Sequence, residues 1–314
     1  MSALVTWLLV PHLLAVNVAS AAPLVCVWLE WSAARGNRLA ATTARRLSAH
    51  GAVALVVGAL IGLLMGWLLW SDSYRTALRL LGSRLHYGGA ELLFSLVLMI
   101  WHAVWWARRA QASRLGRWGR GLLAVLAGTN VLYHFPVLMV ILARIAAGAD
   151  ALETPLDSPA FRARLVSPEV AARCLHIVFA SFAVTGAWLI ALAWRDLGRT
   201  AAGHDGDANS QADAAVLARW GARLAVVPTL LQLPSGLWLV GTLTPVQQSR
   251  LFGGDAAVTS AFGASVLLSL WLMHLLAAIG MGDVRRSMLA KTLVVLTAVV
   301  ALMSFVLRTL ELRS

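Results

Sequence analysis

The sequence has 314 residues, of which 60% are hydrophobic and 13% are charged, whereas a soluble domain usually carries about 25% charged residues. This balance excludes a soluble globular protein and predicts that lipid surrounds the fold. The formal net charge of +12 would suit a nucleic-acid partner, but the basic residues lie in the connections between apolar runs rather than on one amphipathic face, which excludes that partner.

Apolar runs of about 20 residues, the length that spans a bilayer, recur along the whole chain. Since a bilayer core holds no water, each run must satisfy its backbone hydrogen bonds internally, as an α-helix. We therefore predict an all-α integral membrane protein in which a bundle of about eight transmembrane helices forms a single domain, residues 1–314. The predicted spans are 5–29, 52–71, 87–106, 121–143, 172–194, 221–243, 258–281 and 289–307.

The distribution of basic residues indicates how the chain crosses the membrane. With the N-terminus outside, 16 of the 26 Lys and Arg residues fall in the inner connections. Because cytoplasmic loops are enriched in Lys and Arg, this favours a multi-pass protein of a bacterial cytoplasmic membrane with both ends outside. The inner group comprises Arg35, Arg38, Arg45, Arg46, Arg108, Arg109, Arg114, Arg117, Arg120, Arg195, Arg199, Arg219, Arg223, Arg285, Arg286 and Lys291.

The first span has the position of a secretion signal, but no basic residue precedes it and its apolar region is longer than the roughly 7–15 residues of a signal peptide. It also contains His12, so we predict a retained helix. Cys26 and Cys174 lie alone in or at spans, which excludes a disulfide framework or a CxxC site. No CxxCH motif occurs in the sequence, which excludes covalent attachment of c-type haem.

The connections differ in character. Residues 30–51 are basic, and 72–86 have apolar residues at helical spacing, which predicts a helix along the outer membrane surface. Residues 144–171 form the only sizeable outer segment, which could cap an outer site or dock a partner. Residues 196–218 are polar and rich in Gly, Ala and Asp, which predicts a flexible cytoplasmic linker.

Six of the eight histidines fall within or at the edges of predicted spans. Polar side chains at this depth are costly unless they find a partner, so they normally face the bundle interior and mark a functional site. Neutral imidazole is also a usual axial ligand of haem iron. The chain direction places four of them toward the outer face and two toward the inner face, respectively His12, His86, His134 and His176, and His102 and His274.

A porphyrin needs small residues beside its ligand, on the same helical face. Such residues follow His12 and His176 at offsets of three, four, seven or eleven, namely Ala15, Ala19, Ala180, Ala183 and Ala187. The alternative interpretation is that they serve close helix packing, which is common in membranes. We predict that the six histidines bind haem b in two or more copies, with four of them as axial ligands of the iron: His12, His176, His134 and His86.

Glu91 is the acidic residue that lies well inside a predicted span. Tyr87, Ser95 and His102 share its helical face, at spacings of four and seven residues. One interpretation is a proton path, or a polar track beside a quinone. The other is a hydrogen-bonded seam between helices.

Several residues in the first five spans form a recognisable pattern. Pro168 precedes His176 by eight residues, and residues 181–186 then follow as a Ser-Phe-x-x-Thr-Gly run. In span 1, His12 and Glu30 are eighteen residues apart, and span 4 contains Gly-Thr-Asn at 128–130. Over roughly residues 5–195, this pattern resembles subunit I of the cytochrome bd quinol oxidases.

The resemblance implies that His176 binds a low-spin haem b, that His12 serves a high-spin haem site, and that the N-terminus lies outside. The sequence also departs from the family. Its third helix carries two glutamates, of which Glu91 alone is present here, and the long quinol-binding loop is replaced by the short connection 244–257. The late Gly-Arg-Gln-Pro-Trp motif has no counterpart, and Met273 lies in the span of the family's haem methionine.

These departures, together with extra histidines, predict a rewired set of haems that passes electrons. We expect an oxidoreductase subunit that carries electrons between a quinone and/or a periplasmic redox partner, rather than a stand-alone oxidase. Its partners would be the other membrane or periplasmic redox subunits of a respiratory-type complex. The first alternative is a minimal terminal oxidase that reduces oxygen at a high-spin haem near His12, with Glu91 supplying protons. The second is a haem-free membrane transporter or scaffold.

Overall fold

The computed structural model describes residues 2–108, 113–148, 152, 154–201 and 208–311. All the regular elements among these residues are helical, and eight of the helices are long and apolar enough to cross a membrane. This confirms the predicted class, an all-α integral membrane protein. The helices are α1 Ser2–Ala34, α2 Arg38–Leu68, α3 Asp72–Leu81, α4 Ser83–Arg108, α5 Arg114–Ala146, α6 Ser158–Leu165, α7 Pro168–Ala201, α8 Ala208–Gly241, α9 Pro245–Ser249, α10 Ala256–Met281 and α11 Arg286–Glu311, with a π-helical segment Arg250–Gly254 before α10.

The transmembrane helices extend beyond most of the predicted spans. The clearest case is α2, which begins at Arg38 and therefore includes most of the segment expected as a basic connection. The Asn37 side chain caps it by accepting a hydrogen bond from Ala40 N at 3.0 Å. Ala44 and Leu47 are fully buried. Packing against other helices thus supports a polar stretch of α2 that hydropathy does not reveal.

The segment 196–218, predicted as a flexible linker, is helical wherever the structure describes it. α7 continues to Ala201, and α8 begins at Ala208. Leu217 and Ala218 are buried, whereas Asp213 is exposed. Gln211 and Asp213, two of the polar residues that suggested disorder, therefore lie on the exposed side of a packed helix, and residues 202–207 lie outside the described part of the chain.

Two compact units can be described separately, Met1–Val178 and Phe179–Ser314, and the single domain expected from the sequence stays a prediction. In the first unit, α1, α2, α4 and α5 form a ring: α1 contacts α2 and α5, and α4 contacts the same two helices. This is a four-helix bundle around a shared core. Gly128 of α5 allows α1 to approach, since a Cβ there would lie 2.8 Å from Leu24 Cγ.

Short helices pack against one end of the first unit. α3 buries Ala77 and Leu81 in an apolar cluster with Ile141 and Ile145 of α5, and most of its other residues are exposed or half-buried. Val170, in the first turn of α7, belongs to the same cluster. The start of α7 is therefore anchored to the last turns of α5.

Small residues bring the helices of the second unit together. Gly186 of α7 faces Gly221 of α8 so closely that a Cβ on Gly186 would lie 2.5 Å from the Gly221 carbonyl oxygen. Such contacts are typical of membrane helices. α10 packs against both α8 and α11. α8 is continuous through Pro228 and Pro234, whereas transporter sites usually lie at interrupted helices.

Gly186→Ala should destabilise the protein, because the added methyl group must push two backbones apart. Overpacking of this kind costs about 1–3 kcal/mol. Gly263→Ala on α10 is the matched control, since a Cβ there meets no described atom within 4 Å. Thermal unfolding in detergent should give a lower Tm for Gly186→Ala alone. Equal Tm values for the two variants would contradict the close contact.

Candidate functional site

His12 lies on α1 and faces α2. Its Nδ1 atom is 2.9 Å from the carbonyl oxygen of Gly58. Because a carbonyl oxygen only accepts hydrogen bonds, Nδ1 must carry the hydrogen, and in the neutral ring Nε2 keeps its lone pair. A backbone carbonyl bonded to the other ring nitrogen is a usual second partner of a metal-binding histidine. His12 is therefore held in the tautomer that can bind iron through Nε2.

Two glycines of α2 make room for α1 at this point. A Cβ on Gly62 would lie 3.0 Å from Cε1 of the His12 ring, and a Cβ on Gly58 would lie 2.7 Å from Val16 Cγ1. Gly58 and Gly62 are four residues apart and so lie on one face of α2. The spacing of these two glycines is visible in the sequence and indicates a face of α2 that another helix can approach. It does not show that His12 is the residue in contact with that face.

His102 is buried, with 3% of its surface exposed. Its neighbours around a small void include Ser48 and Gly51 of α2 and Ala124 of α5. The space between these side chains is too small to hold a water molecule. A porphyrin does not fit this space. The structure therefore gives no support to His102 as a haem ligand, and its packing is that of a core histidine.

A buried ion pair lies close to His102. Arg120 Nη2 donates to Glu30 Oε1 at 2.7 Å, and the two side chains are 1% and 9% exposed. The guanidinium also stacks on the Trp106 ring, with Cζ 3.8 Å from the ring centroid. Buried charges need such partners, and a cation over an indole face adds to the attraction. The cluster joins α1, α4 and α5.

The position of this pair shows where two helix ends differ from the predicted spans. Arg120, expected in an inner connection, lies in α5, which begins at Arg114, and Glu30 lies in α1, which continues to Ala34. Both charges therefore belong to candidate membrane-spanning helices, as does Glu91 of α4. A hydropathy profile places the end of a predicted span near a charged residue. It cannot show that two opposite charges 90 residues apart neutralise each other.

The ion pair also serves as a reference point for the histidines of the first unit. His12 precedes the glutamate of the pair by 18 residues, and His134 follows the arginine by 14. At about 1.5 Å per residue, these intervals correspond to roughly 27 and 21 Å along the helices. His12 and His134 therefore lie toward the end of the unit that is opposite the ion pair. His86 and His176, near the starts of α4 and α7, lie toward that same end.

The environments of the remaining histidines differ. His134 and His176 are half-buried, whereas His86 and His274 are exposed. Within the described part of the chain, no group of three or more His, Cys, Asp or Glu side chains could hold a metal ion. Haem iron needs only one or two axial side chains, so individual rings such as His12 are the relevant candidates.

The polar face predicted on α4 is in part a seam between helices. The Asn130 side chain of α5 donates to Ser95 Oγ at 2.8 Å and to the Glu91 carbonyl oxygen at 3.0 Å. Ser95 is fully buried, Glu91 is half-buried, and Tyr87 is 65% exposed. The seam accounts for Ser95. A proton path through the Glu91 carboxyl group stays a prediction.

The sequence matches no family model and no curated protein. The fold, however, is similar to that of a bd oxidase from Geobacillus thermodenitrificans, with a TM-score of 0.69 and 11% sequence identity. The similarity covers 96% of this chain and 85% of that chain. At this identity the likeness concerns the fold alone. This likeness of fold covers nearly the whole chain, whereas the sequence pattern covers roughly residues 5–195.

Arg120→Met should strongly destabilise the protein, because it leaves the Glu30 carboxylate buried without its cation. Loss of one partner of a buried pair costs about 3–5 kcal/mol. The double variant Glu30→Gln/Arg120→Met should recover part of this loss, since no uncompensated charge is left. Thermal unfolding measures both effects.

The control for these variants is Asp283→Asn, which breaks an exposed pair with Arg285 and should leave the Tm unchanged. A double variant no more stable than Arg120→Met would argue against the ion pair.

Proposed function

We propose that this chain is a membrane cytochrome subunit that binds haem b. It carries electrons between a quinone and/or a periplasmic redox partner, within a respiratory-type complex of a bacterial cytoplasmic membrane. The observation that carries the proposal is the His12 ring, whose Nδ1–H is engaged by the Gly58 carbonyl oxygen. The similarity of the fold to a bd oxidase supports a redox role.

The residues around His12 fit the requirements of an axial ligand. When bound, haem b supplies reversible one-electron chemistry. The Gly58 carbonyl fixes the plane of the ring and raises the basicity of Nε2. Gly62 leaves room for the ring, because a side chain at that position would press on Cε1.

The placement of the other histidines supports more than one haem. His12, His86, His134 and His176 all lie toward one end of the first unit. We propose the three half-buried rings, His12, His134 and His176, as iron ligands at that level. His86, His274 and His102 stay predictions without supporting geometry, His86 and His274 because they are exposed and His102 because its surroundings are too tightly packed.

A second candidate function is a minimal terminal oxidase that reduces oxygen at a high-spin haem on His12. The fold similarity to a bd oxidase favours it. Carbon monoxide separates the two functions, since it binds a reduced high-spin haem with an open position and does not bind six-coordinate carriers. A haem-free transporter or scaffold would show no Soret band at all.

His12→Ala should remove one haem signal from the reduced-minus-oxidised spectrum of the purified protein. Gly62→Ala should weaken or shift the same signal, because its methyl group would lie 3.0 Å from the ring. Gly121→Ala on α5 is the matched control, as a Cβ there meets no described atom within 4 Å. If His12→Ala and Gly62→Ala both keep the wild-type spectrum, His12 is not a ligand.

His176→Ala should remove one low-spin haem b signal and leave the protein inserted in the membrane. Leu175→Ala, at the exposed neighbouring position, should keep the wild-type spectrum. Membrane fractionation and size-exclusion chromatography establish that both variants are folded. Loss of the signal from neither variant, or from both, would contradict the specific role of His176.

A further inference from the structure

A carboxylate at the start of α7 is held between two guanidinium groups. Glu169 Oε1 forms an ion pair with Arg173 Nη2 at 3.0 Å, and Oε2 pairs with Arg144 Nη1 on the last turn of α5. The three side chains are 21%, 14% and 23% exposed, respectively. They form a charge cluster of two cations and one anion that is largely shielded from solvent.

This charge cluster has a fixed relation to His176. Glu169 precedes His176 by seven residues, which places both on one face of α7, about 10 Å apart along the helix axis. Arg173 lies between them. Val170 anchors this part of α7 in the apolar cluster that includes Ile145 of α5, so the charges and the ring are held by the same packing.

We propose that the charge cluster tunes the midpoint potential of the haem that His176 holds, with Glu169 as the residue that lowers it. This inference rests on the function proposed above. Oxidised haem carries one more positive charge than reduced haem. A nearby carboxylate therefore stabilises the oxidised form, and nearby guanidinium groups stabilise the reduced form. Glu169 offsets part of the effect of Arg144 and Arg173.

The burial of the charge cluster decides whether this effect is measurable. Charges in contact with solvent are largely screened beyond about 8 Å at physiological ionic strength, whereas partly buried charges are screened much less. Glu169 is of the second kind. Asp157, which caps α6 and is exposed, is of the first kind and serves as the exposed control.

The test is a redox titration of the full-length protein, followed at the haem band that His176→Ala removes. Glu169→Gln should shift the midpoint potential to more positive values, and Arg144→Gln should shift it to more negative values. Glu169→Asp keeps the charge and should stay near the wild-type potential. Asp157→Asn keeps the helix cap, because Asn caps as well as Asp, and should leave the potential unchanged.

Opposite shifts are the decisive result, because a general disturbance of the fold would not depend on the sign of the charge removed. Shifts of one sign in both variants, or wild-type potentials in both, would overturn the inference while the haem on His176 stands. If Glu169→Gln does not fold, Arg144→Gln alone tests the inference. A shift of the midpoint potential to more negative values supports it, and any other result overturns it. If His176→Ala removes no haem band, the function proposed for His176 fails, and this inference fails with it.

Discussion

A bilayer core offers no water to polar side chains, so each polar group that a helix carries into it needs a partner inside the protein. The first unit meets this constraint differently at its two ends. At one end, Glu30 and Arg120 neutralise each other and Trp106 covers the guanidinium. Toward the other end, the His12 ring gives its Nδ1 hydrogen to the Gly58 carbonyl, and haem iron is the partner that we propose for Nε2.

The two ends therefore have different roles. The ion pair joins three helices through protein groups alone, and its contribution is to the stability of the bundle. The histidine end combines half-buried rings with close helix contacts, and the carboxylate of Glu169 adds a shielded charge there. The His12 ring is oriented by a backbone carbonyl, and the charges of Glu169, Arg144 and Arg173 are fixed by packing. Such rigid surroundings suit the proposed haem, whose iron would change oxidation state without rearranging the protein around it.

The spans were predictable because a helix in lipid must be apolar whatever it packs against. Their ends were not, since caps and packing determine them: Asn37 starts α2 within a stretch that reads as a polar connection. The candidate histidines could be named from residue type and depth. The contacts between helices could not be predicted, because they depend on which helices lie side by side. Examples are the contact of His12 with Gly58 and the ion pair of Arg144 with Glu169.

Haem content measured by the pyridine haemochrome assay, on full-length protein purified from a haem-replete host, tests most directly whether these imidazoles hold iron porphyrin. We expect haem b, with at least one haem for each chain and more than one if the ligands at the His12 end act together. A colourless protein that is folded and inserted in the membrane would contradict the redox function and leave the helical bundle without a cofactor.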